Sequence, residues 1–141
     1  MTDQPVTFGT KIALVVRSDL EAWQKLNVAA FLTSGIAAAF PDCIGAPYED
    51  ASGTPYHALI GQPILVYGAD QAALTRALDR ALSRDVKAAV YTEEMFKTTH
   101  DAANRAAVKA VARSDLNLVG LAFRAERKVI DKVLDGLKFL R

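Results

Sequence analysis

The segment Lys11-Ile-Ala-Leu-Val-Val-Arg-Ser-Asp-Leu20 decides the fold of this chain. Its residues 12–16 are all aliphatic, and an unbroken run of this kind is typical of a strand that is covered on both faces. A similar run, Leu118-Val-Gly-Leu-Ala-Phe123, lies near the other end of the chain and is followed by a helical pattern. Both segments therefore predict a buried strand that leads into a helix, which is the repeating unit of an α/β domain.

Strand and helix patterns also alternate in the stretch between these two segments. Pro41 ends the first helix, Asp70 is a candidate N-cap of the second, and Thr98 or Thr99 is a candidate N-cap of the third. We predict strands over 12–16, 63–67, 87–92 and 116–123, and helices over 23–40, 70–82, 101–112 and 129–137. This alternation predicts a layered α/β domain over residues 11–141 with a largely parallel sheet, preceded by a flexible arm over residues 1–10.

The first predicted helix is apolar on all sides. Leu26, Ala29 and Ile36 lie along one stripe, while Val28 and Phe31 lie on the opposite side. A helix of this composition is either buried on both sides or part of a subunit interface. We therefore expect a homodimer, formed through this helix or through the final one.

Composition limits the classes of partner. The chain has 17 Lys and Arg against 16 Asp and Glu, a net charge of +1. Nucleic-acid binders usually carry a basic excess, so a nucleic-acid partner is not indicated, although tRNA is not excluded. A single cysteine, Cys43, fits a reducing compartment. We find no signal peptide and no apolar stretch of the ~20 residues that would span a bilayer, so we expect a cytoplasmic protein without a membrane partner.

Several motifs resemble those of known proteins. The two end segments, together with Gly61-Gln-Pro63 between them, resemble the type II peptidyl-tRNA hydrolases in order and spacing. The stretches Trp23-Gln-Lys-Leu-Asn27, Pro47-Tyr-Glu-Asp50 and Tyr91-Thr-Glu-Glu-Met-Phe96 are similar to those of an uncharacterised bacterial family that shares this fold. The resemblance implies a three-layer fold with a mixed four-stranded sheet, helices on both faces and a homodimer.

The hydrolase resemblance also implies candidate site residues. The essential lysine of those enzymes falls on Lys25 or is replaced by Asn27, depending on where a one-residue insertion lies. Their glutamine falls on Phe31, and their serine-histidine pair falls on Thr33-Ser34. Their acid, arginine and threonine after the third strand fall on Glu94-Met-Phe-Lys97-Thr98. Loss of the arginine removes bidentate anion binding, since lysine is a point charge.

These residues predict a ligand site. The candidate catalytic residues are Lys25, Glu94 and Thr98. They belong to segments that follow two strands, and α/β sheets place ligand crevices at the carboxyl ends of their strands. Glu94 is a candidate base for a water molecule, with Lys25 or the Asn27 amide stabilising an oxyanion. Asn27, Ser34 and Lys97 are candidate ligand-binding residues. The favoured function is binding of a small polar ligand without efficient peptidyl-tRNA hydrolysis, and the alternative is a hydrolase of an aminoacyl or peptidyl ester.

Other residues bear on this site without adding a cofactor. The long loop Cys43–Leu59, with a predicted hairpin tip at Ala51-Ser-Gly-Thr54, is expected to cover the site as a lid. Trp23 is expected to plug the core, with a pocket wall as the alternative. No spacing of Cys, His and carboxylates suggests a metal site, and the glycines form no phosphate-binding motif, so we expect no metal and no cofactor.

Overall fold

The computed structural model describes residues 6–141, and the two aliphatic runs near the ends of the sequence form adjacent antiparallel strands inside its main sheet. The first aliphatic run forms β1 (Thr10–Arg17), which pairs in parallel with β4 (Ile64–Ala69) on one side. The second run forms β6 (Leu118–Glu126), which pairs antiparallel with β1 on the other side. Both aliphatic runs are therefore interior strands, as their composition predicts.

The remaining elements complete two sheets and four helices in the described part of the chain. The other strands are β2 (Tyr48–Glu49), β3 (Pro55–Tyr56), β5 (Ala89–Thr92) and β7 (Lys138–Phe139). The helices are α1 (Ala22–Ala39), α2 (Gln71–Ser83), α3 (Asp101–Lys109) and α4 (Arg127–Val133). The main sheet has the order β5-β6-β1-β4-β7, and β2 and β3 form a separate hairpin.

Helices cover both faces of the main sheet because successive side chains of β1 point to opposite sides. Ile12, Leu14 and Val16 pack in a cluster with the buried side of α1. Ala13 and Val15 pack in a second cluster with α2 and α4 on the other face. The result is a three-layer arrangement, and the expected helices on both faces are present.

Two features of the predicted sheet are wrong. The sheet has five strands rather than four, because the predicted final helix ends early: Gly136 has a φ of +86° and the chain then turns to form β7 against β4. The sheet is mixed, as the family resemblance implies, and not largely parallel, as the alternation of strands and helices predicts, since β1–β4 is its only parallel pairing in the described residues. Helix and strand patterns along a sequence do not reveal that β6 returns between β5 and β1.

α1 approaches the sheet closely at one glycine. Gly120 of β6 lies under the helix, and a Cβ atom built there would lie 2.5 Å from Val28 Cγ1 and 2.8 Å from Leu32 Cδ1. Real Cβ contacts are not this short, so only glycine fits without movement of the helix. This contact sets the distance between α1 and the strands on which it lies.

The predicted hairpin in the long loop is confirmed. Tyr48 of β2 lies opposite Tyr56 of β3, and Asp50 holds the turn between them by accepting hydrogen bonds from the Tyr56 hydroxyl at 2.7 Å and from the Ser52 and Thr54 amides. The Tyr56 hydroxyl, followed by the Thr54 amide, lowers the pKa of the Asp50 carboxyl below its ordinary value. The loop is thus a built substructure.

The start of the chain is only partly described. Residues 1–5 of the predicted flexible arm lie outside the described residues. Phe8 and Gly9 accept hydrogen bonds from the Arg127 side chain and backbone amide, at 3.2 and 3.0 Å, and Thr10 already belongs to β1.

Candidate functional site

A cavity of about 740 Å³ opens at the β5 side of the main sheet, between α1 and α3. This volume lies within the ~300–1,000 Å³ range of small-molecule sites. Its walls are the outer side of α1, the strand β5, the segment 95–100 that follows it, and α3. The cavity begins at the carboxyl end of β5, where α/β folds place ligands. From there it continues along the side of β5 that has no neighbouring strand.

Four aromatic rings form a continuous wall of the cavity. Trp23 packs edge-on against Phe96 with ring centroids 5.9 Å apart, Phe96 lies 5.2 Å from Tyr91, and Tyr91 lies 5.9 Å from Phe31. Trp23 is 56% exposed and Phe31 is 55% exposed, so about half of each side chain faces solvent. The expectation that Trp23 plugs the core is wrong, and its alternative as a pocket wall is correct.

The position of Trp23 is fixed by the start of α1. Its indole Nε1 donates a hydrogen bond to Glu21 Oε2 at 2.8 Å, and the backbone amide of Glu21 donates to Gln24 Oε1 at 3.0 Å. These local bonds hold the polar side of the indole at the helix terminus, so that its apolar ring faces the cavity and Phe96.

Beside the aromatic wall, three polar side chains have at least one atom without a hydrogen-bond partner among residues 6–141. The Asn27 side chain makes no hydrogen bond there and is half-buried in the cavity. His100 Nδ1 accepts from the Ala103 amide at 3.2 Å, which leaves the Nε2–H of the neutral ring free to donate. Asn104 uses its Oδ1 with the Thr98 hydroxyl, so its Nδ2 is available. The cavity therefore offers hydrogen bonds beside an apolar surface.

Tyr91 has an unusual environment within this wall. Its ring is buried, and burial raises the pKa of the phenol above its ordinary value of about 10. The folded chain therefore favours the neutral phenol, which is a hydrogen-bond donor over the whole physiological range.

This pKa shift predicts a pH dependence of stability. The contribution of neutral Tyr91 is fully present below pH ~10 and is lost as the pH rises through the higher pKa of the folded state. We expect the free energy of unfolding to fall above pH ~10, and Tyr91→Phe to remove part of that fall. Urea denaturation of both proteins between pH 8 and 11 measures the difference, and identical slopes would contradict the assignment.

The structure brings together three of the six site residues predicted from the sequence. Asn27, Ser34 and Thr98 line the cavity. Lys25 does not: its ammonium lies on another side of α1, 3.4 Å from the backbone carbonyl of Arg141. Glu94 and Lys97 are exposed and also lie outside the cavity wall. Glu94, the candidate base, and Lys25, one of the two candidates for oxyanion stabilisation, are therefore not grouped with Asn27 and Thr98 around this cavity.

The long loop does not cover this cavity either. None of residues 43–59 contributes to its wall. The loop lies near the beginning of β1 and the end of β6, where Cys43, Gly45 and Arg124 border a smaller cavity of about 350 Å³. Arg124 there is bound by Asp42, with Nη2 3.1 Å from Oδ2.

Sequence reasoning missed a charged cluster at the carboxyl end of β1. Arg17 donates to Asp19 at 2.7 Å, and Glu93 Oε2 lies 3.4 Å from the Arg17 guanidinium and accepts from Asn117 at 2.7 Å. The guanidinium is thus occupied by carboxylates of the chain itself. This cluster links β1 to Glu93, which follows β5, and to Asn117, which precedes β6. The positive charge of Arg17 is therefore already paired.

Neither a metal-binding cluster nor a membrane-spanning helix occurs in the described residues. No group of three or more His, Cys, Asp or Glu side chains among them is placed to hold a metal ion. Within residues 6–141 no helix combines the length and apolar character needed to cross a membrane.

The fold and the cavity define a mixed α/β protein whose candidate ligand site lies beside an edge strand. The chain belongs to the family described as "Protein of unknown function (DUF2000)", whose model matches residues 10–141. It is similar to the solved structure of a protein of unknown function, Atu0240 from Agrobacterium tumefaciens str. C58, with 47% identity, a TM-score of 0.93 and coverage of 96% of this chain and 100% of the other. A search of curated proteins gives no match.

These findings support membership of an uncharacterised family with an α/β fold. Neither finding names a hydrolase, so the likeness to type II peptidyl-tRNA hydrolases stays a prediction.

Proposed function

We propose that this domain binds a small molecule with an apolar, preferably aromatic, moiety and polar substituents in the cavity between α1, β5 and α3. The observation that supports the proposal most is the wall of four contacting rings, of which Trp23 and Phe31 are half exposed. An aromatic or aliphatic group on this wall would cover that surface at a gain of about 25 cal/mol per Å² of apolar area removed from water.

Polar groups give this proposed ligand its second feature. The amides of Asn27 and Asn104 and the imidazole of His100 each have a free hydrogen-bonding atom at the cavity. A ligand that covers these half-buried or exposed groups must replace the hydrogen bonds they make to water, so one with matching polar substituents is favoured over a purely apolar one. The sequence predicts a small polar ligand, and the aromatic wall adds an apolar moiety to it, so the proposed ligand is amphipathic.

Ester hydrolysis has less support than binding. A hydrolase using Lys25, Glu94 and Thr98 needs these groups within hydrogen-bond reach of one reacting centre. Only Thr98 borders the cavity, and its hydroxyl already bonds to Asn104. We therefore keep the proposal of binding without efficient peptidyl-tRNA hydrolysis.

Binding of 1-anilinonaphthalene-8-sulfonate, an aromatic anion, tests the proposal against the hydrolase alternative. We expect Trp23→Ala and Asn27→Ala to weaken binding of this probe about tenfold, which corresponds to ~1.4 kcal/mol. The matched controls Lys25→Ala and Glu94→Gln should leave binding unchanged, and their stability should stay within about 0.5 kcal/mol of the parent chain because both are surface changes. Fluorescence titration and urea denaturation give the two readouts.

The opposite pattern would contradict the proposal. If the probe binds equally to Trp23→Ala and Asn27→Ala but is lost from Lys25→Ala or Glu94→Gln, the site lies at the residues derived from the hydrolase resemblance. Release of peptide from peptidyl-tRNA at a useful rate, abolished by Lys25→Ala, would favour the hydrolase alternative.

We also propose that the chain forms a homodimer through α1. Leu26 is 72% exposed on this helix, next to the half-exposed Trp23, and Lys25 is the only charged residue of α1. α4 is a weaker candidate because it is short and its exposed residues are charged. A two-fold interface brings each residue near its symmetry mate, so an uncharged face suits it.

Sedimentation at micromolar concentration tests this association. We expect a dimer for the parent chain and a monomer for Leu26→Lys, since a lysine at each copy's position 26 would place like charges together. A monomeric parent chain would contradict the proposal.

We place the protein in a reducing compartment such as the cytoplasm, and the observation that supports this is its single, buried cysteine.

A further inference from the structure

β5 is an edge strand whose free side borders the cavity. It ends the sheet order β5-β6-β1-β4-β7 and pairs only with β6. Ala89 and Tyr91 pack towards the α1 layer, whereas Val90 packs against the cluster on the opposite face. All three nevertheless line the cavity. A cavity that touches residues pointing to both faces must reach the edge of the strand itself.

The hydrogen bonds around β5 show which backbone groups point out of the sheet. The Glu93 amide donates towards β6, to the Asn117 carbonyl at 2.9 Å, whereas the Thr92 amide turns away and donates to Met95 Sδ at 3.3 Å. In an antiparallel pair these directions alternate along the strand. The register shifts between Tyr91 and Thr92, so Val119 of β6 has no partner residue in β5. The extra residue therefore lies in β6, and the alternation along β5 is not interrupted.

This alternation directs the N–H and C=O of Val90 away from β6. Outside the β5–β6 ladder, neither group has a hydrogen-bond partner among residues 6–141. Edge strands commonly carry lysine, proline or inward charges that block further pairing, and residues 89–92 contain none of these. An unprotected donor and acceptor therefore face the cavity beside the aromatic wall.

We propose that the occupant of this cavity is an extended peptide segment that adds to β5 as a further strand. The inference rests on the proposed function and names the class of ligand for the same site. The peptide residue opposite Val90 pairs with its N–H and C=O. The two residues beside it place their side chains on the face of Tyr91 and Ala89, where the rings of Phe31 and Phe96 receive apolar groups.

The recess limits what can pair with β5. α1 flanks the strand on one side, with the Cβ position of Gly35 only 3.3 Å from Ala89 Cβ, and α3 borders the other side of the cavity. The sheet edge of a whole folded domain would meet these helices before its strand reached Val90. A single extended segment fits between them, so a peptide is favoured over a second copy of β5.

A blocked tetrapeptide in which phenylalanine and leucine alternate with threonine is a suitable probe. Its control is the same peptide with methylated backbone nitrogens, which keeps the side chains and removes the donors. We expect the methylated peptide to bind about tenfold more weakly by calorimetry. We also expect the unmodified peptide to slow hydrogen exchange of the Val90 amide, measured by nuclear magnetic resonance.

Val90→Pro tests the pairing with β5 directly, and Trp23→Ala tests the proposed function separately. Proline removes the outward N–H of Val90 and is tolerated on the free side of edge strands. This variant should bind the tetrapeptide about tenfold more weakly than the parent chain does. Equal affinity for the two peptides, unchanged exchange at Val90, or formation of a β5-paired dimer would each overturn the inference. Loss of the aromatic anion from Trp23→Ala would still support the proposed small-molecule site.

Discussion

Replacing Phe123 by alanine should destabilise the domain by about 3–5 kcal/mol. Phe123 is fully buried in β6, within the cluster that joins the sheet to α2 and α4. Its removal loses the transfer free energy of the ring and leaves a cavity that close-packed neighbours fill only in part. Domains of this kind have a free energy of unfolding of about 5–15 kcal/mol, so the variant should unfold at a much lower urea concentration than the parent chain.

Phe139→Ala is the matched control for this change. Phe139 belongs to the edge strand β7, is 61% exposed and stacks on Tyr67 with ring centroids 5.0 Å apart. An aromatic pair of this kind contributes about 0.5–1.5 kcal/mol, so the control should cost roughly a third of the Phe123 change. Urea denaturation followed by circular dichroism compares them, and equal losses would mean that the assigned core is wrong.

Gly120→Ala should cost about 1–3 kcal/mol, although it adds only a methyl group. The new Cβ would lie 2.5 Å from Val28 Cγ1, and valine in a helix has almost no alternative rotamer with which to avoid the contact. α1 must therefore move away from β6. Since α1 carries Trp23, Asn27 and Phe31, the variant should also bind the aromatic probe more weakly.

Gly9→Ala is the control for the glycine change. A Cβ atom at Gly9 would have no neighbour within 4 Å, so this variant should keep the stability and the probe affinity of the parent chain. Thermal unfolding followed by the fluorescence of Trp23 reports on both variants. If Gly120→Ala unfolds at the same temperature as Gly9→Ala and the parent chain, the close contact between α1 and β6 is wrong.

The parts of the fold that follow from periodicity could be predicted from the sequence. The aliphatic runs around Val15 and Leu121 predict interior strands, and Asp70 caps α2 by accepting from the Ala73 amide at 2.8 Å. The topology could not be predicted, because a strand pattern is the same in either direction. The N-cap of α3 was also missed: propensity favours Thr98 or Thr99, but the extended backbone at His100 brings its ring onto the Ala103 amide.

The candidate site was predictable only in part for a related reason. Asn27, Ser34 and Thr98 were identified, but the face of a helix towards which a charged residue turns depends on the neighbouring element. Lys25 is drawn to the carbonyl of Arg141 at the chain end, a contact that no local pattern indicates. Tyr91 and Asn104 were missed because their importance depends on β5 being an edge strand, which is known only from the sheet order.

The position of β6 has a consequence for synthesis on the ribosome. Thr10 pairs with Glu126 and Val16 with Gly120. β1 is synthesised early, but it cannot form this pairing until β6 has been synthesised. Until then β5 has no neighbour at all, because β6 is its only partner in the described chain. Contacts this distant in sequence slow folding and expose apolar edges meanwhile. A nascent chain stalled before Leu118 would therefore be a substrate for chaperones rather than a shorter version of this domain.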